Sequence, residues 1–215
     1  MKLYSLPHSP YAARVRIQIY AKQLPVDIAV PEGFRTAEYK KINPTGKVPA
    51  LDTGSRILPE SAVIMDYLEA LYPALPLYPD DIEDRATVNL FCRVVDTYLS
   101  TALFPLFAQV FQKDTDKAQI AQQLDAMKVQ LKLLDQLFAD YGREQHTSLD
   151  LADCTLAPVL FYVLQVCSWF GEPDALRGCE RLQRWWQWAN DNTHISRVIA
   201  EMDEGLTAFL ERVNT

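Results

Sequence analysis

Asn43-Pro44-Thr45-Gly46-Lys47-Val48-Pro49-Ala50-Leu51, followed by Leu58-Pro59-Glu60-Ser61, is the stretch whose reading decides the fold. The Val48-Pro49 step leads into a short apolar strand, and the acid–hydroxyl pair Glu60-Ser61 opens a helix nine residues after that strand ends. One local unit thus offers backbone hydrogen bonds for an extended peptide and a helix N-terminus for a carboxylate. A small acidic peptide needs both.

Upstream, residues 2–6 read as a short strand. Ser9-Pro10 is the pair expected at an N-cap and first helical position, and residues 10–22 read as a helix with a buried face broken by Arg14 and Arg16. Residues 26–30 alternate and predict a second strand. A loop with Pro31 and Gly33 follows, then a short helix over 37–42 that Asn43-Pro44 ends. Downstream, strands at 48–51 and 56–58 are joined by Asp52-Thr53-Gly54-Ser55, a hairpin signal. A helix over 60–71 completes a βαβαββα order.

Residues 72–80 hold three prolines and cannot remain helical. They read as an interdomain linker. After it no strand pattern occurs; helical stretches are predicted at 82–112, with Pro105 bending it, and at 115–141, 151–168, 178–192 and 196–213. The expected fold class is α/β plus all-α, a small α/β domain followed by a helical bundle.

Composition is that of an ordinary globular chain: 215 residues, 49% apolar and 23% charged. The net charge of −7 is uneven, because residues 1–80 carry nine Lys/Arg against eight Asp/Glu and residues 81–215 carry twelve against twenty. An acidic second half argues against nucleic acid, whose phosphates require a basic face. The near-neutral first half suits an anionic small ligand. No apolar run of the ~18–20 residues needed for a membrane span is read in the sequence, and the opening Met-Lys-Leu-Tyr-Ser-Leu-Pro-His lacks the features of a secretory leader. Cys92, Cys154, Cys167 and Cys179 show no CxxC spacing, and His8, His146 and His194 are scattered, so no metal site is expected. Reduced thiols point to the cytoplasm.

The Val-Pro and Glu-Ser unit, the Ser9-Pro10 pair and the two-domain layout resemble the glutathione transferase superfamily across essentially the whole chain. The resemblance implies a thioredoxin-like domain at 1–77 that binds glutathione and a helical domain at about 83–215. It also implies a cis bond before Pro49, a homodimer, and conjugation of glutathione to small electrophiles, with glutathione as co-substrate and no metal. Ser9-Pro10-Tyr11 looks like the family's Cys-Pro-Tyr form with serine for cysteine. Serine cannot form a mixed disulfide with glutathione, which argues against reductase chemistry.

The candidate roles follow. Ser9 either supports the glutathione thiolate with its hydroxyl or only caps its helix; both roles draw on one oxygen. Tyr4, Ser5 and Tyr11 are rival hydroxyls. Val48 pairs by its backbone with the cysteinyl unit, and Lys47 either reaches the glycyl carboxylate or is a solvated loop residue. Ser61 receives the γ-glutamyl carboxylate and Glu60 the γ-glutamyl ammonium, or the pair only opens the helix. Tyr11, Phe104, Phe107 and Phe111 are candidates for an electrophile pocket, though phenylalanines at that spacing also suit plain core packing. Asp150 and Asp153 read as a capping box whose carboxylates repel. A zeta-type isomerase carries Ser-Ser-Cys where this chain has His8-Ser9-Pro10, and a non-catalytic binding module is the remaining alternative.

Overall fold

Short alternating segments separated by turn residues put four strands into one sheet. In the computed structural model β1 (Lys2–Tyr4), β2 (Asp27–Ala29), β3 (Ala50–Asp52) and β4 (Ile57–Pro59) lie in the order β2-β1-β3-β4. The structure describes residues 1–112, 114–143 and 148–213; His146 lies outside them. The helices are α1 (Pro10–Ala21), α2 (Ala37–Ile42), α3 (Ser61–Leu71), α4 (Ile82–Val94), α5 (Ser100–Gln109), α6 (Lys117–Asp140), α7 (Leu151–Trp169), α8 (Glu180–Asp191) and α9 (Thr193–Val213). The N-terminal order is thus βαβαββα, a thioredoxin-like arrangement with a mixed sheet.

β1 runs parallel to β2 through the α1 crossover, with Tyr4 opposite Ala29, and antiparallel to β3, with Tyr4 opposite Ala50. The β3–β4 hairpin pairs Ala50 with Pro59 and Asp52 with Ile57. Its turn closes by the Thr53 N–H donating to the Arg56 carbonyl (3.0 Å) and the Gly54 N–H to Asp52 Oδ1 (2.8 Å). Gly54 has φ +88°, a conformation open to glycine at little cost.

The chain divides into two compact units, one of Met1–Pro79 with the chain from Asn192 onward, the other of Asp80–Asp191. In the first, α1 packs against α3 and α9. The reading of α1 as a helix with one buried face is corrected: every residue from Ala12 to Ile19 is buried, Arg14 and Arg16 included. Its polar groups find distant partners. Lys22 Nζ meets Glu69 Oε1 at 2.7 Å, Gln18 Nε2 donates to the Met65 carbonyl and to Glu69 Oε2 (both 3.0 Å), and the Leu77 N–H donates to Glu69 Oε1 at 2.8 Å. Such a buried set is stable only because each charge is paired.

In the second unit α7 is the core, buried along most of its length and packed on α4, α5 and α8. The expectation that no segment reaches membrane-spanning length is corrected. The 28 residues of Ile82–Gln109 and the 19 of Leu151–Trp169 are long and apolar enough by length and composition, although the α7 window is 83% buried inside the structure. Ile82–Gln109 is also not one regular helix, since a π-helical turn at Val95–Leu99 divides α4 from α5. α9 begins at Thr193 rather than 196 because Asn192 Oδ1 accepts the N–H groups of His194 and Ile195 (3.0 and 3.2 Å).

Candidate functional site

One end of the sheet gathers the sequence-marked residues. β3 starts at Ala50, directly after the Val48-Pro49 step, and its partner Pro59 ends β4 directly before Glu60-Ser61, so both sequence-marked pairs border the same end of the hairpin. Because Tyr4 also lies opposite Ala50, the loop to Ser9 leaves from the same end. The Val48–Pro49 peptide bond is cis. Among the described residues, neither the N–H nor the C=O of Val48 has a hydrogen-bond partner within the chain. The Lys47 carbonyl is held by Tyr39 Oη and Asn43 Nδ2 (both 2.8 Å), which fixes the backbone entering this step, while the Lys47 side chain is exposed.

The start of α3 is unusual. Glu60 occupies the N-cap position at φ +70°, ψ +117°, and its side chain makes no cap hydrogen bond. A non-glycine residue at positive φ costs roughly 1–3 kcal/mol, and Glu60 is exposed, so no packing of its own side chain explains it. Ser61, the first helical residue, is only 6% exposed. The first backbone bond of the helix is the Ile64 N–H to the Glu60 carbonyl, at 3.0 Å. The N–H groups of Ser61, Ala62 and Val63 therefore stand at the helix mouth with the Ser61 hydroxyl, a ready site for a carboxylate.

Ser9 caps α1. Its Oγ accepts the Ala12 N–H at 3.3 Å, and its own N–H donates to the Leu6 carbonyl at 3.1 Å. Capping and thiolate support do not exclude each other, because the cap uses an oxygen lone pair and leaves the hydroxyl proton to donate. The rival hydroxyls are placed otherwise. Ser5 is buried and its Oγ accepts from Arg16 Nη1 at 2.8 Å; Tyr4 packs edge-on to Tyr39 with centroids 6.2 Å apart; Tyr11 lies under the Arg14 guanidinium at 4.6 Å.

Sequence reasoning missed Arg16. It read as a polar interruption of α1, yet its side chain is only 3% exposed and it fastens the Ser9 loop. Nη1 also donates to the Leu6 carbonyl (2.9 Å) and Nη2 to the Pro7 carbonyl (2.7 Å). A basic residue among Ala13, Val15 and Ile17 was the available signal; its partners were not visible. Next to Ser9, the His8 imidazole is held below its ordinary value by burial first, then by Arg212, Arg16 and Arg35.

The aromatic candidates are divided between the units: Tyr11 belongs to the first, Phe104, Phe107 and Phe111 to the second. On α5 and just beyond it, Phe107 packs edge-on to Phe111 (5.2 Å) and to Tyr162 (5.5 Å), whereas Phe104 and Phe111 are 42% and 41% exposed. Cys154, Cys167 and Cys179 are buried, and burial followed by the charge of Glu172 pushes the Cys167 thiol up to about 11, which makes it a poor nucleophile.

Comparison with known proteins agrees with this geometry. A family model described as the N-terminal domain of glutathione S-transferase matches residues 3–76. The chain is 31% identical to the probable maleylacetoacetate isomerase 2 of Drosophila melanogaster, over 74% of this chain and 72% of that protein. It is 24% identical, over 100% of its own length and 98% of the relative's, to a glutathione S-transferase of Pseudomonas putida. A crystal structure of a glutathione S-transferase from Methylobacillus flagellatus with glutathione bound superposes with a TM-score of 0.75, covering 92% of this chain and 98% of that one at 24% identity. Sheet order, the Val48–Ser61 unit and these likenesses converge on one conclusion: the chain belongs to the glutathione S-transferase superfamily.

Proposed function

We propose that this protein is a glutathione-dependent transferase that joins the glutathione sulfur to small electrophiles. The observation that carries the reading is the start of α3, where Glu60 sits at φ +70° without a cap bond and leaves the N–H groups of the first turn available. In the reading, these N–H groups and the Ser61 hydroxyl receive the γ-glutamyl carboxylate, and Glu60 pairs with the γ-glutamyl ammonium. The open N–H and C=O of Val48 pair with the cysteinyl unit in antiparallel fashion. Lys47, exposed and basic, attracts the glycyl carboxylate.

Ser9 then faces the sulfur. A thiol with a pKa near ~8.5 is mostly protonated at neutral pH. The α1 N-terminus and a donated Ser9 hydroxyl proton both favour the thiolate, each pH unit of lowering being worth about 1.4 kcal/mol. The thiolate attacks an electrophilic carbon, and the carbon's electron pair departs on a leaving group or passes into a conjugated carbonyl. Holding the thiolate in place is the main catalytic demand. We assign Tyr11 to contact with an apolar electrophile. The reading includes a cytoplasmic homodimer acting in detoxification, supported by family membership alone.

Purified protein is expected to conjugate glutathione to at least one of a panel of activated halides, enones and epoxides. Failure to bind glutathione and to react with any of them contradicts the proposal. A second reading is favoured by the relative at 31% identity, which is named an isomerase. In it the same thiolate adds reversibly to a cis-enone diacid, the carbon–carbon bond rotates, and glutathione is expelled unchanged. Turnover of such a diacid without net loss of glutathione separates it from conjugation.

A further inference from the structure

The C-terminal helix carries a stripe, Glu201, Gly205 and Phe209, at four-residue spacing along one face of α9. All three meet the loop that presents Ser9 or the arginine that fastens it. Glu201 Oε2 lies 3.1 Å from Arg16 Nε, the guanidinium whose other nitrogens hold Ser5, Leu6 and Pro7. Glu201 Oε1 is itself held, accepting from Tyr20 Oη (3.0 Å) and Arg197 Nε (3.2 Å). Phe209 stacks on His8 with centroids 4.8 Å apart and 24° between the rings.

Gly205 is the tightest point. A Cβ added there would lie 2.6 Å from Pro7 Cβ, 3.0 Å from the His8 nitrogen and 3.2 Å from the Pro7 carbonyl carbon. Backbone and a rigid proline ring cannot swing aside as a long side chain can, so any larger residue must displace the loop or the helix. The link to Ser9 is direct. The Leu6 carbonyl accepts both from Arg16 Nη1 (2.9 Å) and from the Ser9 N–H (3.1 Å), so the turn that aims Ser9 is closed on the group that Glu201 steadies.

We propose that α9 is a clamp for the Ser9 loop: Gly205 supplies the bare surface on which Pro7 and His8 rest, and Glu201 is a positioning residue that acts through Arg16. The assignment rests on the proposed thiolate chemistry for its catalytic meaning, but the clamp itself is testable without any ligand. Amide hydrogen exchange over residues 5–12 of the unliganded full chain reads it directly. Gly205→Ala is expected to speed exchange in this segment by about tenfold or more, and the near-isosteric Glu201→Gln by a smaller factor. Thr207→Ala, on the exposed face of α9, is the control and leaves it unchanged. With glutathione bound, titration of the thiol by ultraviolet absorbance is expected to shift upward by about half a pH unit in Gly205→Ala, a roughly threefold loss of thiolate, with kcat falling more than KM rises.

Exchange at residues 5–12 that matches the native protein in both Gly205→Ala and Glu201→Gln overturns the clamp, whatever glutathione does. Should Gly205→Ala fail to fold, Glu201→Gln alone decides by the same readout. Faster exchange in a protein that binds no glutathione sustains the clamp and contradicts only the functional reading.

Discussion

Helices α7 and α3 both begin at an acidic residue, and they are finished in opposite ways. At the start of α7, Asp150 accepts the N–H groups of Ala152 and Asp153 (2.8 and 3.1 Å), and Asp153 Oδ2 returns the favour by accepting the Asp150 N–H at 2.9 Å. The expected repulsion between the two carboxylates is absent because Arg143 lies against both, at 2.9 Å from Asp150 Oδ2 and 2.9 Å from Asp153 Oδ1. The Trp185 indole N–H donates to Asp153 as well, at 2.9 Å. At the start of α3 the chain supplies no side-chain cap and holds Glu60 in a strained backbone conformation. A start saturated from within fixes the fold; a start left open can serve something from outside. The contrast extends further, since α1, α2, α4 and α6 are capped by Ser9, Thr36, Asp81 and Asp116.

The largest expected effect breaks the saturated start. Arg143→Ala strips two buried carboxylates of their cation and should cost about 3–5 kcal/mol in chemical denaturation. Glutathione affinity of the folded fraction should be unchanged. Ser61→Ala should do the reverse, weakening glutathione binding by about 1–3 kcal/mol while altering stability by under ~0.5 kcal/mol. Equal losses of stability in both variants would erase the distinction drawn here.

Ser9→Ala stands between the two, because that hydroxyl both caps and faces the proposed sulfur. Loss of the cap is expected to cost about 1 kcal/mol in stability. The thiol of bound glutathione should also ionise at higher pH; an unchanged midpoint assigns Ser9 to the fold alone. Glu60→Gly sharpens the comparison from the other side. Relief of the positive φ, set against the greater freedom of glycine in the unfolded chain, should raise stability by about 1 kcal/mol. Loss of the carboxylate should lower glutathione affinity roughly tenfold.

The smallest effect is a pH dependence. His8 holds a proton less readily in the folded chain than its ordinary value of 6.5 because of burial and the neighbouring arginines. The unfolded chain is therefore protonated first as pH falls. Stability is full above about 6.5, declines through that value and levels off below the folded midpoint. His8→Phe keeps a ring against Phe209 and should flatten the decline measured by denaturation between roughly pH 7.5 and 5.

The element order of the first eighty residues was legible because turn chemistry is local: Asp52 to Ser55, Asn43-Pro44 and Ser9-Pro10 each act within four residues. Strand ends were not. The first strand stops at Tyr4 instead of residue 6 because the Leu6 carbonyl is taken by Ser9 and Arg16. Glu60-Ser61 was visible as a helix opening, but the positive φ that keeps it uncapped was not, since nothing in a glutamate signals it. The buried state of Arg14 and Arg16, the cation between Asp150 and Asp153, and the contact of Gly205 with Pro7 depend on partners remote in the chain, which periodicity does not register. In the helical half, Asn192 announced the start of α9 only in retrospect, while the widened turn at Val95–Leu99 has no evident sequence mark.

Calorimetric titration of glutathione into the native protein and into Ser61→Ala, with denaturation curves recorded in parallel, addresses the open helix start most directly. The account predicts saturable binding by the native protein, binding weaker by about fivefold or more in the variant, and coincident unfolding curves. Absence of binding to the native protein, or equal affinity in the two, would contradict it.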